Sequence, residues 1–374
     1  MVIVNIRTVL IFTAIVATIS FLTLLTPAAT DAANLHVSKI RSDCSGVSGS
    51  CYTSLSAWEE DYGGIDFSSL GCSDGDLVCA DTIAVAECYN DWPNGLNDPF
   101  VIAGWTTDSS RYVKVTVPEK ERHDGVLHQN GRYTGFALRV EEGIANREDY
   151  TIIEGVIFDF QGSHANLSIT DAWNAEGDGV HVRNNIFADG KYRTLQSADY
   201  HHGYIYNNIF IQKEAKAQYG ILDLGKTLNA GSGMHVYNNT FYDTRGSTCV
   251  YNAYAAVNNI FITNGFSTNG AETVAHHNIT TQADLWGNNT MTGVTLTDLD
   301  FVNTASGEED LHLDSGSIAI DSGVEVFGNL TDIDKESRKD KWDIGADEYN
   351  SNVSGVYVSK IRSDCSGVSG SCYT

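Results

Sequence analysis

Apolar residues along this chain alternate with polar ones rather than falling at helical spacing, and from about Tyr150 onward a polar phrase interrupts the alternation again and again. Asn184-Asn185-Ile186-Phe187, Asn207-Asn208-Ile209-Phe210, Asn238-Asn239-Thr240-Phe241 and Asn258-Asn259-Ile260-Phe261 each follow a short alternating run: Val180 and Val182, Ile205, Met234 and Val236, Ala256. The steps between first Asn residues are 23, 31 and 20 residues. Strand, turn and second strand thus recur together, at repeat spacing with uneven loops. A weaker copy, Glu154-Gly155-Val156-Ile157-Phe158, precedes the series with Glu154 set against Asn184. Asn288-Asn289-Thr290-Met291 and His276-His277-Asn278-Ile279 compete for its last place.

Repeats of this length, rich in β-branched residues and Asn, predict an all-β fold: a right-handed parallel β-helix (β-solenoid) with a short N-terminal capping helix. Stacked Asn amides would lie about 4.8 Å apart and satisfy one another. Phe and Ile after the turn are expected to stack inward. A sandwich or propeller is the alternative, but a propeller calls for evener spacing and tight Asn-Gly hairpins.

Residues 1–33 read as a signal peptide or an N-terminal anchor. Arg7 precedes an apolar stretch from Val9 to Leu25, and Pro27, Ala28, Ala29, Ala32 and Ala33 offer small-residue cleavage sites. Residues 34–80 are assigned to a disulfide-containing N-terminal cap, with a helix in which Ser56 and Glu59 form a capping box and Leu55, Trp58 and Tyr62 share a face. Residues 81–349 hold the β-helix and its closing segment, with Phe301–Asn303 and Leu311–Leu313 as final coils. The rest, 350–374, is a linker and a duplicate: Val358–Thr374 repeats Val37–Thr53 letter for letter. It is either the start of a second module or an element for strand exchange between copies. Either way, end-to-end self-association is expected.

A formal charge of −25 argues against nucleic acid and anionic membrane surfaces as partners, and no segment of the mature chain reads as membrane-inserted. Eight cysteines behind an export signal imply a secreted, extracellular or cell-surface location. Cys44 with Cys51 and Cys72 with Cys79 enclose short flexible loops suited to local disulfides, and Cys365 with Cys372 copies the first pair. Cys88 and Cys249 are left over. Of six Asn-x-Ser/Thr sequons, Asn166, Asn329 and Asn352 are the accessible candidates for glycosylation, whereas Asn238 is committed to the ladder.

Two stretches carry a family likeness. The run from Phe301 through Ser315-Gly316-Ser317-Ile318-Ala319-Ile320-Asp321-Ser322-Gly323 to Asp343-Ile344-Gly345-Ala346-Asp347-Glu348-Tyr349 resembles the C-terminal cap of secreted β-helix proteins called choice-of-anchor. It departs from the usual form at Ile318, where Pro is usual, and at Lys335, where Gly is usual. Tyr52–Glu59, with Ala86–Tyr89 and Gly104–Asp108, is similar to the opening of environmental β-helix proteins. The chain as a whole therefore resembles the pectin-lyase-like class, which implies a fold but not one activity, since that class hosts lyases, hydrolases, adhesins and tail spikes.

Aligned on the Asn phrase, Thr151, His181, Tyr204, His235 and Ala255 form one outward row and Ile153, Arg183, Tyr206, Tyr237 and Val257 the next, with Ile152, Val182, Ile205, Val236 and Ala256 inward. Rings beside charged donors suit sugar rings and their carboxylates. His181, Arg183, Tyr204, Tyr206, His235 and Tyr237 are therefore the candidate ligand-binding residues, for a polysaccharide or surface glycan. The rival reading is ordinary cross-strand pairing on an exposed face. A Ca²⁺-dependent polysaccharide lyase, or a related carbohydrate-active enzyme, is the alternative function. Arg183, His181 or Lys191 would then be catalytic, with Arg193 as another candidate base and Asp178, Asp189 and Asp199 as metal ligands. Ca²⁺ is the one cofactor suggested. The Asn-Thr-Asp and Trp-Ile-Asp-His elements of β-helix polygalacturonases and pectate lyases are absent, so the leading reading is a structural or adhesive module that binds glycans or neighbouring copies in an array or filament.

Overall fold

The computed structural model describes residues 33–129, 131–162, 164, 166–169, 179–197, 202–213, 217–224, 233–263, 274–283, 287–326 and 331–350, with the backbone of 268–269, 360–361 and 372–373. Residues 1–32, most of the stretch read above as a signal peptide or anchor, lie outside them. Among the described residues, no helix is long and apolar enough to cross a membrane.

Three all-parallel sheets, of ten, seven and seven strands, make up the fold. One winding shows the plan: Val180–Arg183 lies in the first sheet, Ile186–Ala188 in the second and Leu195–Ser197 in the third, and Gly203–Tyr206 then pairs with Val180–Arg183. This is a parallel β-helix. Its corner between the first and second sheets explains the repeated phrase. The first Asn of each pair holds a left-handed backbone, with φ of 52° at Asn184, 52° at Asn207, 49° at Asn238 and 58° at Asn258, a region open mainly to Gly and Asn. Gly155 takes that corner one winding earlier, and His277 and then Asn289 take it later, so both competing phrases are rungs.

The second Asn of each pair forms the ladder. Nδ2 of Asn185, Asn208, Asn239 and Asn259 donates to Oδ1 of the next member at 3.1, 3.0, 3.0 and 3.1 Å, ending on Asn278. All five are fully buried. Inside the helix Phe158, Phe187, Phe210, Phe241 and Phe261 stack face to face, with successive centroids 4.7 to 5.0 Å apart.

Only half of the expected Phe and Ile stacking points inward. Ile157, Ile186, Ile209, Ile260 and Ile279 alternate with the Phe row, so they face outward from the second sheet, where they pack against Val294, Leu299, Leu311, Leu313, Ala319, Ile333, Ile344 and Ala346. The C-terminal segment is therefore a second layer over that sheet. Phe301–Asn303 and Asp310–Leu313 are an antiparallel hairpin within this layer, not final coils. The first-Asn row holds the layer down: Asn184 and Asn207 donate to the carbonyls of Asp332 and Thr331, Asn238 to Asp343 O at 3.2 Å and Asn258 to Val324 O at 2.6 Å. Buried Arg338 adds bonds to Asn207 Oδ1, Gly345 O, Ala346 O and Glu348.

At the other end, disulfides Cys44–Cys51 and Cys72–Cys79 close their loops, and Cys88 and Cys249 are buried and free. The capping helix is Leu55–Glu60, with buried Leu55 and Trp58. Its N-cap is Ser54 rather than Ser56, and Asp98 accepts from Leu55 N, Ser56 N and Ser56 Oγ. Glu59 does not complete a capping box. It reaches instead to Ala103 N and Trp105 Nε1. The tail repeats the opening pairing: Lys39 and Ile40 pair in parallel with Cys51 and Tyr52, and Lys360 and Ile361 with Cys372 and Tyr373. Cys365 lies outside the described residues, as does the Cys372 side chain.

Candidate functional site

The outer face of the first sheet brings the six ring and guanidinium residues together. Strand register sets His181 beside Tyr204 and Tyr204 beside His235, and in the next row Arg183 beside Tyr206 and Tyr206 beside Tyr237. Rings of the first row stack: His181–Tyr204 and Tyr204–His235 each have centroids 5.0 Å apart, at 25° and 27°. Tyr254 extends the row at 5.0 Å from His235, and His202 meets Tyr204 edge-on at 5.3 Å. Its neighbour His201 lies outside the described residues.

One winding earlier, the expected rows are shifted by one residue. Ile152, not Thr151, pairs with His181, Ile153 is the buried inward residue beside Val182, and Glu154 pairs with Arg183. The slip arose because Gly155, not Glu154, occupies the left-handed corner equivalent to Asn184. A slip of one exchanges the two faces of a strand, which is why Glu154 went unrecognised. It is central to the site. Arg183 Nε meets Glu154 Oε2 at 2.7 Å, Lys114 Nζ meets Oε1 at 2.8 Å, and Arg183 Nη1 donates to Tyr206 Oη at 2.9 Å.

The electrostatics follow from burial and these pairs. Burial pushes the His181 and His235 imidazoles down to about 4, helped by Arg183 and His202 at the first and by His202 at the second. Both rings are neutral near pH 7. Burial alone would raise the Glu154 carboxyl, but Arg183 and Lys114 outweigh it and bring it down to about 2. Burial would lower Arg183, yet Tyr206 and Glu154 hold its guanidinium above the usual value. Burial also raises the Tyr206 and Tyr237 phenols.

Beside Arg183 a cavity of about 270 Å³ is lined by Arg122, Glu154, Arg183, Asn184, Tyr206, Thr331 and Lys335. Lys335 takes a left-handed backbone there, φ 68°. Arg122 lies across Gly155, where a Cβ would come within 3.1 Å of its guanidinium. Arg122, Arg183 and Lys335 thus line this cavity with a single carboxylate, Glu154, which Lys114 also pairs, in a chain whose formal charge is −25. Arg122 and Lys335 carried no periodic signal, since one is in a loop and the other arrives from the C-terminal layer.

Other candidates fall elsewhere. Asp189, Lys191 and Arg193 occupy the turn from Ile186–Ala188 to Leu195–Ser197, between the second and third sheets, not beside the His181 face. Asp189 Oδ1 accepts from Lys213 N at 2.8 Å, and Lys191 Nζ donates to Gln161 O at 2.6 Å. Arg193 pairs with Asp223 and stacks near Tyr192 and Tyr219, an aromatic group that sequence reasoning missed. Asp178 and Asp199 lie outside the described residues, as do Asn329 and Asn352. Asn166 is half-buried, Asn288 is exposed, and Asn238 and Asn278 are fully buried. In comparisons with known proteins, no family model matches the chain and no curated protein matches it.

Proposed function

We propose that this is an exported β-helix module of the pectin-lyase-like type, with a structural or adhesive role, that binds acidic polysaccharide along the outer face of its first sheet. The observation that carries the reading is the ring row His181–Tyr204–His235, stepped at 5.0 Å beside the Arg183 guanidinium, which donates to Tyr206 Oη. Neutral rings offer flat apolar surface and hydrogen-bonding edges to sugar faces, while a guanidinium suits a carboxylate. The row crosses strands, so a polymer would lie along the stacking direction and meet one ring per rung.

Binding is favoured over cleavage by two features of the same face. Arg183 is held protonated, which suits an anion partner better than a base. Of the expected Ca²⁺ ligands, the one among the described residues, Asp189, sits at another corner. The repeated strand pair at Lys360–Ile361 and Cys372–Tyr373 supports modules in series, as in a surface array. The test is incubation of the full chain with a panel of polyuronates and neutral glucans, with and without chelator. Retention of polyuronate without unsaturated product supports the reading; chelator-sensitive unsaturated product would replace it with a lyase.

A further inference from the structure

We propose that the C-terminal layer holds a divalent cation of the zinc class, bound by His312, Asp334 and Asp347. The donors come from three separate stretches: the hairpin strand Asp310–Leu313, the turn after Asp332 and the closing run Asp343–Tyr349. One ligand atom from each lies within 4.8 Å of the others. A small closure around an ion would bring them to the roughly 2.0–2.2 Å bonds of nitrogen and carboxylate ligands.

The surroundings are those of a metal ligand set rather than a chance acidic cluster. Asp310 Oδ1 contacts His312 Nδ1. That is the carboxylate-to-histidine support that fixes the tautomer and leaves Nε2 as ligand. Nε2 is buried, and Asp334 Oδ2 pairs with it at 2.9 Å without meeting hydrogen-bond geometry. One oxygen of Asp347 is oriented by Leu313 N at 2.8 Å. Space beside the donors is kept by Gly125, at φ 80°: a Cβ there would lie 2.4 Å from His312 Nε2 and 3.2 Å from Asp334 Oδ1. An adjoining cavity of about 360 Å³, lined by His312, Asp334, Glu336, Asp347 and Glu348 among others, gives an ion a path in.

Donor chemistry selects the ion. One imidazole with two carboxylates suits Zn²⁺ or Mn²⁺, whereas Ca²⁺ takes six or more oxygens. An ion here would tie the hairpin to the closing run on the outer face of the second sheet. That role differs from sugar binding and does not depend on it.

The test uses the full chain, stripped with chelator and titrated with Zn²⁺, Mn²⁺ or Ca²⁺ alone, followed by bound-metal analysis and thermal unfolding. One Zn²⁺ per chain and a raised unfolding temperature are expected, with Ca²⁺ much weaker. Asp334→Asn, at an exposed position, should keep the native circular dichroism and weaken Zn²⁺ by about 10-fold or more. His202→Ala, on the sugar-facing side, should leave it unchanged. Wild-type chain that holds no Zn²⁺, or Asp334→Asn chain that binds it as well as wild type, would overturn the assignment.

Discussion

Asn208 Nδ2 donates to Asn239 Oδ1 at 3.0 Å, and the Asn208 backbone N–H donates to the same oxygen at 3.0 Å. From Asn208 to Asn278 each ladder Asn thus satisfies two donors of the winding before it, in a fully buried position. Asn208→Ala leaves the Asn185 N–H and Asn239 Oδ1 buried with a partner lost. A buried orphan costs about 1–3 kcal/mol, so a loss of roughly 3 kcal/mol is expected in urea unfolding. A loss below about 0.5 kcal/mol, the range of an inert surface change, would mean the ladder contributes little.

Arg338 anchors the C-terminal layer from a fully buried position, through Asn207 Oδ1 at 3.1 Å and Gly345 O at 2.8 Å. Arg338→Met keeps bulk but strips those bonds and leaves Glu348 without its ion-pair partner. Breaking a buried pair costs about 3–5 kcal/mol. Hydrogen exchange should quicken in residues 331–349 before it quickens in the Phe-stacked windings. Equal protection in both regions would contradict the two-layer description.

The pH response separates two kinds of group. His181 and His235 titrate near 4 when folded but near 6.5 when unfolded, so the unfolded chain takes up protons the folded one refuses. Their contribution is complete above about 6.5 and is lost as pH falls toward 4. Burial lifts the Glu59 carboxyl to about 7, so its contribution is complete below its ordinary value and is lost as pH rises toward 7. Relative to wild type, a His181→Gln/His235→Gln variant should therefore gain stability on acidification, and Glu59→Gln should gain it as pH rises. Denaturant midpoints measured from pH 4 to 8 check both; differences that stay constant with pH would refute the assigned burial.

Much of this fold was legible because Asn at a left-handed corner is both a local and a repeating requirement. Asn184, Asn207, Asn238 and Asn258 marked the corner, and the rows carrying His181, Tyr204 and His235 followed from period-two alternation. Glu154 was lost because Gly155 meets the same backbone requirement without the marker. The second layer was hidden for another reason: its contacts join residues as distant as Asn184 and Asp332, and an Ile row beneath a cover reads the same as an Ile row in a core. Lys335 and His312 enter through that layer, so neither of their sites could be placed from spacing.

The most direct test of the sugar-facing account is calorimetric titration of a polyuronate oligomer into the full chain and into Tyr204→Ala, Arg183→Gln and Lys191→Ala variants. Loss of one ring contact or one charge-assisted bond, at about 1.4 kcal/mol per tenfold, should weaken Tyr204→Ala and Arg183→Gln by roughly 10-fold each. Lys191→Ala, at a different corner, should bind like wild type. Undiminished binding by the first two variants, or loss of binding only in Lys191→Ala, would contradict the account.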